Sequence, residues 1–545
     1  MRYLVWKVCF VFVLICILMP ARYYAQDAFH QIVRFDIPFG EYFTFNLETG
    51  GDLNGDGRPD LVFSCIEEQN YSNFPIYIYY SIPDSTAVPD EQLITPWPNV
   101  GGFGYSLAYA GDLNGDGISD LAVSVIYYGW KLTGGVMIFY GGNPPFTAPD
   151  VFISGEGQGY TQDWDLYFGE KLITDCDLNG DGINDLLVYA SGSQYEEWGN
   201  VYVYLGGEPF VTTPTLHIRG SVPYEWLGNR MGAGDINGDG YDDIIVTNRM
   251  PIDPNVPWGD CHMCLKIYPG GETLTNVPIF ETIVASTPEG GISAMISNGD
   301  LNGDGYDDIV LSVGSQDGMR MKVFYGQDDI TSLESVDYQL GYNYYSIQSY
   351  VNLNNDPFSD LWVKLYKPMP YDTYEGSYAV YKQTSKVLNL IPDYVDNSPE
   401  PRPNYGYCHP LGDMNGDGFP EFFVHSPITI NPPCPTYATI LTESYVGNSD
   451  AHIQPATPKV ICHPNPFQDE VKVRIAGTDK PHQLTSLEVY NIKGQLVYRQ
   501  NNLQGKQIRW NGLDTLGNRI GSGIYTLRAR DKKGNTFSTI VVKIK

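Results

Sequence analysis

Basic side chains are scarce in the body of this chain. Between residues 26 and 454 there are 15 Lys and Arg against 58 Asp and Glu, a net charge of −43 within a whole-chain formal charge of −31. A surface of that sign repels phosphates, which excludes nucleic acid and anionic lipid as partners. It also lacks the cationic groups that would neutralise a uronate in a lyase acting on acidic polysaccharides. Long apolar runs are missing too. The stretch Val8 to Met19 is about twelve residues, short of the roughly 20 that span a bilayer, so no stable transmembrane anchor is expected. Preceded by Arg2 and Lys7, it reads instead as an export signal over residues 1–25, with cleavage after Ala25.

Cysteine is sparse as well, with nine in 545 residues, and Cys9 and Cys16 fall inside the signal. The remaining seven are an odd number, and in an exported chain some would be oxidised. Cys408 and Cys434 share one repeat and could bridge it, while Cys261-x-x-Cys264 reads as a local disulfide. Only His262 stands beside that pair, too few ligands for zinc. His262, His409 and His425 are the candidate bases between residues 250 and 430, but no nucleophile elbow or metalloprotease helix accompanies them. No catalytic residue is assigned. Sugar hydrolysis needs only two carboxylates at the right separation, so a polysaccharide-active enzyme stays open as an alternative.

What the chain has in abundance is one phrase, Asp-x-Asn-x-Asp-Gly-x-x-Asp, written seven times between Asp52 and Glu421 and followed each time by an apolar run. The copies are DLNGDGRPD, DLNGDGISD, DLNGDGIND, DINGDGYDD, DLNGDGYDD, the eroded NLNNDPFSD and DMNGDGFPE, starting at residues 52, 112, 177, 235, 300, 352 and 413. Oxygen side chains at positions 1, 3, 5 and 9 of a tight loop, with Gly at position 6 where a positive φ is cheap, suit a hard cation that takes many oxygen ligands. An EF-hand would need Glu at position 12 and flanking helices. Position 12 is instead Phe63, Val123, Val188, Val246 or Leu311, within an apolar run.

Helical periodicity is hard to find. Tyr, Val, Ile and Phe alternate in short runs separated by Gly, Pro, Asn and Asp, and with 42% hydrophobic and 14% aromatic residues the chain can bury a large all-β core. The repeat spacing of 52 to 65 residues suits one four-stranded sheet per unit, and seven such units suggest a closed ring. The second repeat is clearest. Phe103-Gly104 leads into a strand ending at Ala110-Gly111, the acidic loop follows, then strands at Leu121 to Val125 and Gly135 to Tyr140, with Val151 to Ser154 as the fourth.

The aromatic-glycine step, the small-residue-Gly before the loop and the acidic nonapeptide together resemble FG-GAP repeats, the units of the seven-bladed propeller in integrin α-subunit heads, over roughly residues 40–445. The resemblance implies calcium-bearing hairpins on one face of the disc, with side-chain oxygens from positions 1, 3, 5 and 9 and a carbonyl from position 7. Carried onto this sequence, the ligands are Asp52, Asn54, Asp56, the Arg58 carbonyl and Asp60; Asp112, Asn114, Asp116, Ile118 and Asp120; Asp177, Asn179, Asp181, Ile183 and Asp185. The later loops supply Asp235, Asn237, Asp239, Tyr241 and Asp243; Asp300, Asn302, Asp304, Tyr306 and Asp308; and Asp413, Asn415, Asp417, Phe419 and Glu421. In the sixth copy Asn352 and Pro357 replace the first Asp and the Gly, and that loop is not counted as a metal site.

Loops between second and third strands would face the other way, and they are rich in aromatics: Tyr127, Tyr128, Trp130, Trp198, Trp258 and Tyr371. Rings beside carboxylates and amides suit a glycan or a protein ligand. After a short Pro-bearing linker, 450–458, residues 455–545 carry a net charge of +9. Alternation and turn spacing there predict a small immunoglobulin-like β-sandwich. PNPF at Pro464, the Tyr490-Asn491-x-x-Gly494 hairpin and Gly523-x-Tyr525 are similar, in order, to the type A C-terminal sorting domain of the type IX secretion system over 459–545. That resemblance implies recognition by the export machinery and removal afterwards. The sequence therefore describes an all-β chain: a signal, a seven-bladed β-propeller over 26–449, a linker, and a sorting domain. Its expected function is that of a calcium-binding surface or secreted adhesion module, or a structural component of a surface layer.

Overall fold

The strand that follows each nonapeptide is apolar on both faces, and the fold grows from that fact. Leu121–Tyr127 and Asp185–Ala190 are buried along nearly their whole lengths, as strands covered on two sides must be. The computed structural model describes residues 29–443 and 459–543 apart from a set of loop segments, among them 37–43, 67–74, 81–88, 156–166, 193–197, 397–406, 415–419, 426–436 and 464–470. The signal segment, the linker and the PNPF motif lie outside the described residues, as do Trp130, Trp258, Tyr371 and Cys434.

Residues 29–443 form seven four-stranded sheets whose neighbouring strands all pair antiparallel. Six follow chain order, one per repeat; the second comprises Gly101–Ala108, Leu121–Tyr127, Gly135–Phe139 and Val151–Ser154. The seventh combines Tyr407–Gly412, Glu421–His425 and Tyr437–Glu443 with a strand from the other end of the chain, Phe29–Asp36, which pairs along Tyr437–Glu443 as its outer edge. The N-terminal strand thus completes the last sheet. First strands of successive sheets lie side by side from Thr44–Thr49 round to Tyr407–Gly412, which returns to Thr44–Thr49. The arrangement is a closed, propeller-like circle of sheets.

The core lies between sheets. Because side chains alternate across a strand, Leu121, Val123, Val125, Met137 and Phe139 pack against Val62, Ile76 and Ile78 of the preceding repeat. Their neighbours Ala122, Val136 and Ile138 pack against Leu186, Val188 and Tyr202 of the following one. The pattern repeats around the circle, and the first and seventh sheets meet through Phe63 and Phe423, with ring centroids 6.0 Å apart. The aromatic-glycine step serves the same interface. Phe168 is fully buried against Tyr202 and Tyr204. Gly169, at φ +93°, lies where a Cβ would come within 3.0 Å of Ser124 in the preceding sheet.

Strand ends depart from the sequence reading most in the fourth repeat, where Asp243–Pro251 and Cys261–Tyr268 form a long hairpin. Cys261 and Cys264 are separate, buried free thiols on its second strand. The expected local disulfide is therefore corrected, since an extended strand carries positions i and i+3 on opposite faces. Among the described residues the one helical element is the 3₁₀ turn Ile330–Ser332, and no helix is long and apolar enough to cross a membrane.

Residues 459–543 form a three-stranded and a four-stranded antiparallel sheet around Val471, Val473, Leu487, Val489, Trp510 and Leu527. The hairpin expected at Lys493 is present, with Asn491 Oδ1 accepting from the amides of Lys493 and Gln495, each at 3.0 Å.

If the core is built at these interfaces, Phe168→Ala should cost about 3–5 kcal/mol, as for a fully buried aromatic ring. Urea denaturation followed by tryptophan fluorescence measures it.

Candidate functional site

Each nonapeptide links the first strand of its sheet to the second, and its last residue is the anchor. Asp60, Asp120, Asp185, Asp243, Asp308, Asp360 and Glu421 are all completely buried. Position 9 accepts from the amide of position 2 in nearly every copy: Leu53 N to Asp60 at 2.7 Å, Leu113 N to Asp120 and Leu178 N to Asp185 at 2.8 Å, Leu301 N to Asp308 at 2.8 Å, and Met414 N to Glu421 at 2.8 Å. The longer Glu421 thus reproduces the aspartate's bond. The other oxygen takes the amide that ends the third strand, Gly141 N to Asp120 at 2.9 Å and Gly206 N to Asp185 at 2.8 Å. One carboxylate thereby ties three strands together.

Position 1 organises the turn. Asp112 Oδ1 accepts from Gly115 N at 2.7 Å and Asp116 N at 3.1 Å, and its Oδ2 accepts from Gly117 N at 2.6 Å. Asp52, Asp177, Asp235 and Asp300 do likewise toward their own fifth and sixth residues. Position 5 closes the far side, as where Asp181 accepts from Ile183 N at 2.9 Å and Asp239 from Tyr241 N at 3.0 Å. The sixth-position glycines Gly57, Gly117, Gly182, Gly240 and Gly305 have φ between +82° and +93° with open space where a Cβ would stand. Glycine is needed there for its backbone alone.

Among the described residues no three acidic, imidazole or thiol side chains gather as a ready cage; the loop carboxylates are engaged by amides. Several loop oxygens nevertheless lack any donor. Asn54 Oδ1, Asp60 Oδ1, Asp243 Oδ2 and Asn302 Oδ1 are buried without a hydrogen-bond partner, a costly arrangement for oxygen acceptors. All four belong to positions 3 and 9, and hard oxygen donors of this kind fit calcium. The sixth loop differs in kind. Asn352 presents a donor, Nδ2 to the Asp356 carbonyl at 3.0 Å, where the other loops present a carboxylate. In the seventh loop Asn415, Asp417 and Phe419 lie outside the described residues.

Burial raises the position-9 aspartates of the five intact loops from their ordinary 3.8, and the carboxylates at positions 1 and 5 add to it while the amide bonds oppose it. Asp120, Asp185 and Asp243 rise to about 7, Asp308 to about 8 and Asp60 to about 9.

The aromatic candidates are half-buried and already engaged. Tyr128 packs on Phe152 at 4.8 Å and Trp97 at 5.9 Å, Tyr127 meets Tyr167 edge-on at 6.1 Å, and the Arg219 guanidinium lies 4.8 Å over Trp198. Sequence reasoning passed over Arg249, which stacks 5.5 Å over Trp226 in the same manner. The histidines do not form a catalytic group: His409 and His425 stack on each other at 5.5 Å inside the seventh sheet. Burial lowers both, His409 to about 4.

The FG-GAP-like repeat family matches residues 52–123 and 177–246, and the secretion system C-terminal sorting domain family matches residues 462–543. The chain carries FG-GAP-like repeats and a sorting tail. The chain is similar to integrin alpha-PS3 of Drosophila melanogaster, 30% identical over 171 residues, which is 30% of this chain and 14% of that protein. Integrin alpha-8 of Mus musculus is 32% identical over 180 residues, 31% of this chain and 16% of that protein. The matches thus span less than a fifth of these relatives. Among solved structures, PorZ, described as an essential bacterial surface component of the type-IX secretion system of Porphyromonas gingivalis, aligns over 94% of this chain and 60% of its own, at 14% identity and a TM-score of 0.41. The type IX sorting domain marks the FG-GAP-repeat chain for export to the cell surface or for secretion.

A folded state that holds protons the unfolded chain has released loses stability as pH rises. For Asp120, Asp185 and Asp243 the window runs from about 4 to about 7. In chelator, the melting temperature should therefore climb as pH is lowered from 8 toward 5, and Asp120→Asn should flatten that climb. Differential scanning calorimetry across the interval decides; a melt that falls steadily on acidification contradicts the assignment.

Proposed function

We propose that the chain is an exported, calcium-stabilised seven-bladed FG-GAP propeller that acts as a binding or adhesion module for a glycan or protein ligand. Its domains are a signal over 1–25, the propeller over 26–449, a linker over 450–458 and an immunoglobulin-like sorting domain over 459–545. The sorting domain is read by the type IX export machinery and then removed. The observation that carries the metal reading is the set of buried, donorless loop oxygens on Asn54, Asp60, Asp243 and Asn302. The ligands are those of the five intact loops, and of the seventh through Asp413 and Glu421. A divalent ion would satisfy those oxygens and hold the position-9 carboxyls ionised at neutral pH.

The acidic hairpins join first to second strands, so the loops joining second to third strands emerge at the opposite end of each sheet. That end carries Tyr127, Tyr128 and Trp198, and it is joined there by the 4-to-1 loop with Trp226, over which Arg249 reaches from the strand Asp243–Pro251. Aromatic rings braced by arginines and by one another are rigid platforms, as sugar faces and peptide side chains both require. The export signal and tail place such a platform where an extracellular ligand meets it.

Metal analysis of the mature protein by mass spectrometry should find calcium in five or more loops. A loop site at a hundredfold excess of ion over its Kd contributes about 2.7 kcal/mol, so chelation should lower the melting temperature by roughly 10 °C or more. Protein without bound divalent ions refutes the metal reading. On a glycan array and against matrix proteins, Tyr127→Ala with Trp198→Ala should weaken binding by at least about tenfold with calcium content unchanged. Binding that survives both substitutions, or turnover of a polysaccharide, shifts the function elsewhere. Removal of residues 459–545 should trap the chain inside the cell envelope, as read by fractionation and immunoblotting.

A further inference from the structure

The nonapeptides are joined to one another as well as to their own sheets, and position 8, which belongs to no ligand set, makes the joint. Its amide donates to the position-1 carbonyl of the preceding loop: Ser119 N to Asp52 O at 3.2 Å, and Asn184 N to Asp112 O, Asp242 N to Asp177 O and Asp307 N to Asp235 O, each at 3.0 Å. Its side chain accepts from the amide of that same residue: Asp52 N to Ser119 Oγ at 3.1 Å, Asp112 N to Asn184 Oδ1 at 3.0 Å, Asp177 N to Asp242 Oδ2 at 2.8 Å and Asp235 N to Asp307 Oδ2 at 3.0 Å. Both backbone groups of each first ligand are thus gripped by the residue that precedes the next loop's last ligand.

A second contact runs in parallel. The position-7 side chain of each loop lies over the position-4 glycine of the loop before. A Cβ on Gly55 would come within 3.2 Å of Ile118, on Gly115 within 2.9 Å of Ile183, on Gly180 within 2.7 Å of Tyr241, and on Gly238 within 2.6 Å of Tyr306. The array then weakens. Ser359 N still donates to the Asp300 carbonyl at 2.6 Å, but position 8 is Pro420 in the seventh loop and Pro59 in the first. Proline has no amide to give, so the link is cut on both sides of the seventh loop.

We propose that position 8 couples calcium binding along loops one to five into a single cooperative array, with the seventh loop independent of it. The inference rests on the calcium reading above and concerns the positioning residues Ser119, Asn184, Asp242 and Asp307. An ion that fixes position 1 of one loop also fixes position 8, and hence position 9, of the next. The second ion therefore meets a loop whose ordering is partly complete, which is positive coupling through shared order.

The test is calcium titration of the full mature chain by isothermal calorimetry, with ions counted by native mass spectrometry and loop amides followed by hydrogen exchange. The wild type should titrate steeply, later ions binding on the order of tenfold tighter than the first. Asn184→Ala removes the acceptor, and Asn184→Pro also removes the amide using a residue already present at this register in two loops. Each should split the titration into separate phases and uncouple exchange protection in 112–120 from that in 177–185, with the ion count unchanged. Asn184→Asp, which copies Asp242 and Asp307, should keep the steep titration. An unchanged slope in the Ala and Pro variants at an unchanged ion count overturns the coupling alone, as does a wild type that titrates in independent steps. A wild type that takes up no calcium overturns the metal reading and the coupling with it.

Discussion

The structure depends on a carboxylate buried where water cannot reach it. At the ninth position of every acidic loop, one Asp or Glu side chain is sealed from solvent and accepts the amide of the loop's second residue, the amide that ends the third strand, or both. A buried acceptor of this strength is costly unless it is satisfied, so the backbone around it has little freedom. The tight turn, the apolar strand that starts at the next residue and the glycine after the third strand all follow from meeting its demand.

Around that anchor the energetics are modular. Each sheet's two inner faces belong to different clusters, one shared with the preceding repeat and one with the following. A single repeat would leave both faces wet, which is why units of this size are stable only in company. The charge distribution works against this cohesion. Fifty-eight acids on the body of the chain repel one another, and the desolvated carboxylates in the loops concentrate that repulsion at one edge of the circle.

Much of this was legible in the sequence because the signals were local. The nonapeptide, the aromatic-glycine step and the alternation of strands such as Val151–Ser154 are read within a dozen residues, and the four-stranded unit follows from their order. What stayed hidden depends on partners one repeat away. Ser119, Asn184, Asp242 and Asp307 look like variable turn residues in a single copy; only the neighbouring loop, 65 or more residues distant for all four, shows why small polar acceptors stand there. Cys261 and Cys264 misled for the converse reason, since a spacing that suggests a bridge in a turn means opposite faces in a strand. The aromatic loops were legible as composition but not as contacts: the stacking of Arg219 on Trp198 and of Arg249 on Trp226 pairs residues across loops and strands.

The borrowed outer strand of the seventh sheet has a consequence for how the molecule comes into being. Phe29 faces Glu443 in that pairing, so the strand Phe29–Asp36 cannot find its partner until the chain has been made as far as Glu443. Until then the chain is an open arc with two bare ends, and joining contacts so remote in sequence is slow. A polypeptide whose address label is written at its C-terminus gains from such a lock: the ring cannot snap shut before the label itself is about to be made.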